Sequence, residues 1–148
     1  MKFMTVIAAL FVVSSAFASE YVSRKLNWSP RSHNGGTVSY YNCDSVESTV
    51  ESHLAALGAQ NVRVSCSGGI ESGWTMPAHV RATFDVAVPG VNGTTREATL
   101  AGRESCSLNV EFLDAALPLF PGVKVVSKRS SCMGGRLDAW KYVLSVTE

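Results

Sequence analysis

An α+β fold is predicted for this chain of 148 residues: a duplicated βαββ repeat, two helices packed on one face of a predominantly antiparallel six-stranded sheet, and a disulfide within each repeat. Three observations carry the prediction. SCSGGIESGW at 65–74 is matched without a gap by SCMGGRLDAW at 131–140. Each copy follows a stretch of helical periodicity that is flanked by alternating, strand-like stretches. The four cysteines divide evenly, Cys43 and Cys66 in one half, Cys106 and Cys132 in the other.

Residues 1–18, MKFMTVIAALFVVSSAFA, combine Lys2, an apolar run from Phe3 to Val13 and the small-residue ending Ala16-Phe17-Ala18. That is the order of a secretory signal peptide, and the run is shorter than the roughly twenty residues a membrane-spanning helix needs. Removing 18 of 148 residues leaves 130, the size of one domain. No later stretch is apolar for long enough to span a membrane. The removed segment takes one lysine from 13 basic residues, which then balance the 12 acidic ones. Neutrality excludes nucleic acid or an anionic membrane surface as the main partner. The expected location is the periplasm or the exterior of a bacterium, where an even cysteine count favours disulfides over thiols.

Residues 19–36 mix Trp28, Pro30 and Gly35-Gly36 with little periodicity and are expected to form an extended arm. The folded domain is placed at 37–148, with repeats over about 37–90 and 95–148. TVSYYN, from Thr37, reads as its first strand. A helix follows from Asp44 to Leu57, with Asp44 and Glu47 at capping-box spacing, Val46, Val50, Leu54 and Leu57 on one face, and Gly58 as the stop. NVRVSC, 61–66, alternates as a half-buried strand, and the glycines after it read as a turn. HVRATFDVAV, 79–88, is the clearest alternation, placing Val80, Ala82, Phe84, Val86 and Val88 on one face. Asn92-Gly93 then predicts a hairpin into the strand TREATLAGR; its match to a glycosylation sequon is fully accounted for by that turn. A second helix is predicted from Ser107 to Leu117, striped by Val110, Leu113 and Leu117 and ended by Pro118. VKVVSK, 123–128, and LDAWKYVLSV, 137–146, complete the set, the latter with Trp140, Tyr142, Leu144 and Val146 on one face.

Four cysteines allow three pairings. In a βαβ unit each repeat's two cysteines lie at the same edge of the sheet, which favours Cys43 with Cys66 and Cys106 with Cys132. Adjacent strands lie about 4.8 Å apart, within disulfide reach. A third strand inserted between them would open about 10 Å, so the pairing bears on strand order. Each bond is worth roughly 3.5 kcal/mol in the chain-entropy model.

No motif names a reaction. Cysteines at helix starts can be activated thiols, but no C-x-x-C occurs, and the spacing does not suit zinc. His33, His53 and His79 match no local catalytic signature, and His53 reads as a packing residue. The Gly-Gly pairs lack the residues of a phosphate loop. Trp28, Trp74, Met76 and Trp140, with Tyr40 and Tyr41, form the candidate recognition surface, and Trp74 stands out in the loop GWTMPAH. KVVSKR reads as a charged edge that opposes strand aggregation. The expectation is an exported binding module without cofactor or catalytic residues, with an extracytoplasmic protein or carbohydrate as partner and inhibition of an extracytoplasmic enzyme as one form of its action. The alternative is a small secreted hydrolase or thiol enzyme using Cys43 or Cys106.

Overall fold

The structure is a computed structural model that describes residues 20–31, 33–34, 37–38, 40–71, 73–90, 93–133 and 137–148. The expected signal peptide, Gly35-Gly36, Asn92 of the expected hairpin and the second glycine pair, Gly134-Gly135, lie outside the described residues. In chain order the elements are β1 (Glu20–Trp28), β2 (His33–Asn34), β3 (Thr37–Val38), α1 (Cys43–Ala56), β4 (Gln60–Glu71), β5 (Trp74–Val88), β6 (Thr95–Gly102), α2 (Cys106–Ala116), a 3-10 turn (Leu117–Leu119), β7 (Val123–Ser131) and β8 (Ala139–Thr147).

The α+β class holds, with two α-helices and six main antiparallel strands among the described residues, and disulfides Cys43–Cys66 and Cys106–Cys132. The six strands divide between two three-stranded sheets, β1-β5-β4 and β6-β8-β7, instead of forming one; β2 and β3 make a separate ribbon. The break falls where a hairpin is expected. Thr94 and Glu148 exchange two backbone hydrogen bonds of 3.0 Å, so β6 enters a ladder with β8 at once and does not pair with β5.

The first strand also differs from the expected one. The arm residues Glu20–Trp28 pair with β5 along their whole length, from Glu20 opposite Val88 to Trp28 opposite Val80. Val22, Leu26 and Trp28 share the inward face with Arg24, which sits opposite the buried Phe84 and interrupts the apolar alternation. Among the described residues of TVSYYN only Thr37–Val38 form a strand, β3, and the chain leads into α1 from Asn42. The helix begins at Cys43, not Asp44, because the Asn42 side chain accepts the Asp44 N–H at 2.8 Å.

β5 thus lies between parallel outer strands β1 and β4, and β8 between β6 and β7. The disulfides form across this split order because Cys43 and Cys106 are the first residues of the helices, where the chain has already left the preceding strand. Both reach their edge strands with Cα atoms 5.4 Å apart.

One core joins the halves. Val80, Ala82, Phe84 and Val86 of β5 meet Trp140, Tyr142, Leu144 and Val146 of β8 under Val46, Val50 and Leu54 of α1 and Leu108, Phe112 and Leu113 of α2. Phe84 stacks on Phe120 at 5.4 Å between centroids, joining the first repeat to the second. Side chains of this size contribute about 1.5–3 kcal/mol each when fully buried. Arg96 clamps the other junction, donating to the Ala56 carbonyl at the end of α1 and pairing with Glu148 at 3.1 Å.

Candidate functional site

SCSGGI is not a turn. β4 continues through both glycines, which have φ of +78° and +80° and sit at a register shift between Ser67 and Gly69. A Cβ at Gly68 would collide with the Pro77 carbonyl oxygen, and one at Gly69 with that of Tyr41. The glycines therefore form a bulge against which the loop before α1 can lie, and the Ile70 N–H donates to the Tyr41 carbonyl at 3.0 Å. The Cys66 N–H donates to Glu47 Oε1 of α1 at 2.6 Å beside the disulfide, so the base of this hairpin is tied twice to the helix and once to the loop before it.

Beyond that base the two repeats part. Ser65 pairs with Arg81, sixteen residues on, while its repeat counterpart Ser131 pairs with Ala139, eight on. The β4–β5 hairpin is thus eight residues longer than β7–β8, and the gapless match of Trp74 to Trp140 does not extend to the structure. Trp140 lies in β8 and is 6% exposed; Trp74 lies on the extension and is 78% exposed. Met76, on the same face of β5 as Trp74, and Ile70 on the paired strand are also exposed.

The other predicted residues do not join Trp74. Trp28 is half-buried at the end of β1, its ring edge-on to Phe112 at 5.4 Å. Tyr40 is exposed and Tyr41 packs against the core. Trp140 leaves the recognition set because it fills the core between His53 and Tyr142. All four cysteines are disulfide-bonded, so the thiol form of the enzyme alternative has no thiolate to act.

A second feature arises where the halves meet. An open cleft of about 560 Å³ is lined by Asn27, Trp28, Ser29, Arg31, His79, Glu111 and Asp114. Its walls are fixed by hydrogen bonds: Ser29 Oγ lies 2.7 Å from His79 Nδ1, and the Arg31 N–H donates to Glu111 Oε2 at 2.7 Å. Asp114 accepts from Lys128 Nζ at 2.8 and 2.6 Å and from the Tyr142 hydroxyl at 2.9 Å. Burial, reinforced by the Asp114 carboxylate, pushes the Tyr142 phenol up to about 12, so it remains a donor. Sequence reasoning does not find Ser29, Arg31, Glu111 or Asp114; the only signal is that Glu111 and Asp114 share one helical face three residues apart.

Deeper in, His53 Nε2 of α1 meets Asn109 Oδ1 of α2 at 2.5 Å. The Asn109 amide nitrogen donates to the Glu104 and Ser105 carbonyls, which leaves its oxygen for histidine and assigns the Nε2 proton. Burial lowers the His53 pKa below 6.5, and the hydrogen bond to Asn109 opposes that shift only in part.

Among the described residues no group of three or more His, Cys, Asp and Glu is placed to hold a metal ion, and no helix is long and apolar enough to cross a membrane. No protein-family model, curated protein sequence or solved structure matches the chain.

Proposed function

We propose that this protein is an exported, non-catalytic binding module that holds an extracytoplasmic protein through the tip of the β4–β5 hairpin, with inhibition of an enzyme as the form such binding takes when the hairpin enters a cleft. The observation that carries this reading is the asymmetry of the repeats. The shared scaffold is complete without the eight extra residues, and those residues present Trp74 and Met76 to solvent. Exposed indole and thioether groups on a hairpin suit a pocket on a partner, where one such anchor typically carries 2 kcal/mol or more, about thirtyfold in affinity. The disulfide, the Glu47 bond and the bulge contact fix the hairpin base before binding, which reduces the ordering entropy lost on association. The apolar leader-like segment at residues 1–18 and the two disulfides support export.

The test is capture from an extracytoplasmic fraction with immobilised wild-type protein and with the double variant Trp74→Ala/Met76→Ala. A specific partner retained by the wild type should bind the variant more than about tenfold less tightly, with the thermal midpoint unchanged because both side chains lie outside the core. Equal retention by the two proteins would remove the hairpin from the interface.

A further inference from the structure

We infer that the cleft between the end of β1, β5 and α2 is a second binding site, and that its ligand is a neutral oligosaccharide. This rests on a different part of the molecule from the hairpin and stands independently of it.

The volume, about 560 Å³, falls within the range of small-ligand sites, about 300–1,000 Å³. The chemistry of the walls selects the ligand. One indole, Trp28, is held edge-on by Phe112 and forms the apolar wall. Every other lining residue is polar, and both hydrogen-bonding senses are present: Asn27, Ser29 and Arg31 can donate, while Asn27, Ser29, Glu111 and Asp114 can accept. A lipid or an aromatic metabolite would desolvate these groups without meeting the donor and acceptor capacity that their protein partners leave open, which costs binding energy. A sugar meets them with hydroxyls that both donate and accept, and offers the C–H face of its ring to the indole.

Charge narrows the class further. Arg31 and Glu111 bring one charge of each sign to the lining, and Lys128 pairs with Asp114 at 2.6 Å. Neither an anion nor a cation gains from the site as a whole, so the favoured saccharide is uncharged. The polar groups are also held before any ligand arrives. Glu111 is fixed by the Arg31 amide, Asp114 by Lys128 and Tyr142, and His79 by Ser29, each bond 2.6–2.9 Å long. Such groups lose little entropy on binding. The cleft draws on both repeats, residues 27–31 and 79 from the first and 111 and 114 from the second, so the docking of α2 beside β1 creates it.

The experiment uses the full-length mature chain and the three indole N–H resonances as reporters. Maltotetraose, cellotetraose and tetra-N-acetylchitotetraose are titrated in turn to millimolar concentration, with trigalacturonate as the charged comparison. The expected result is a saturable shift of the Trp28 resonance with at least one neutral tetrasaccharide, no shift of Trp74, and a weaker or absent response to trigalacturonate. Glu111→Gln keeps an acceptor for the Arg31 amide but removes the charge that strengthens a hydroxyl hydrogen bond, so it should weaken binding about tenfold at an unchanged thermal midpoint. Trp74→Ala should leave the saccharide affinity unaltered, which separates this site from the hairpin. No saturable shift at Trp28 with any of the three neutral saccharides, a preference for trigalacturonate, or full affinity in Glu111→Gln would overturn the inference.

Discussion

His53 and Asn109 put a polar contact where the two helices meet, and its consequence is a dependence on acid. The histidine touches Asn109, Phe112 and Trp140, none of which carries charge to stabilise an imidazolium. Because the folded-state pKa is depressed below the unfolded value of 6.5, folding favours the neutral ring. The stabilisation is fully present above 6.5 and is lost as pH falls below that value and through the folded pKa. The urea midpoint should therefore drop between about pH 7 and pH 5, and His53→Gln, which keeps a group able to bond Asn109 but does not titrate, should show a shallower drop. Parallel pH profiles for the two proteins would assign the acid sensitivity elsewhere. His53 is legible in the sequence as a packing residue because helical spacing sets it beside Val50 and Leu54. Asn109 is not, because its partner lies on another helix and no local pattern encodes that approach.

At the scale of elements, both helices are readable to within a residue at each end, since apolar stripes, the glycine after α1 and the proline after α2 are all local signals; the capping box is not, because Asn42 and not Asp44 caps α1 and Glu47 bonds Cys66 instead. β1 is not. A single inward arginine, Arg24, breaks the alternation, and the neighbouring Pro30 and Gly35-Gly36 suggest an arm. Whether this segment is structural can be measured directly. Leu26 is buried against β5, so Leu26→Ala should cost about 2–4 kcal/mol in urea unfolding, whereas a change in a detached arm would cost less than about 0.5 kcal/mol. The glycine pair is misread for a related reason. Gly-Gly in a sequence signals a positive φ, which a bulge satisfies as well as a turn, and only contact with Tyr41 and Pro77 distinguishes the two.

For the molecule as a whole, the duplication is legible but the way its halves combine is not. The repeat, the disulfide pairs and the strand alternations are written in short stretches, whereas the split into two sheets follows from Thr94 joining Glu148 at the far end of the chain. The exposure of Trp74 can be anticipated from the glycine and proline that flank it, although it lies in β5 and not in the expected loop; the cleft cannot, because three separated segments line it. Shared packing also means that neither repeat is autonomous. Phe84 requires Phe120, and His53 requires Asn109. A fragment of residues 20–90 should thus show no cooperative thermal transition, and a sharp two-state transition in it would mean that each half holds its own core. The unequal hairpins have a further meaning. Since β7–β8 closes its repeat with the shorter connection, the molecule carries its own reference for what this architecture demands. Beyond the bulge and the Ile70 bond at its base, the added length of β4–β5 lies outside the core and can drift or be exchanged under selection for new targets while the rest of the chain stays constrained.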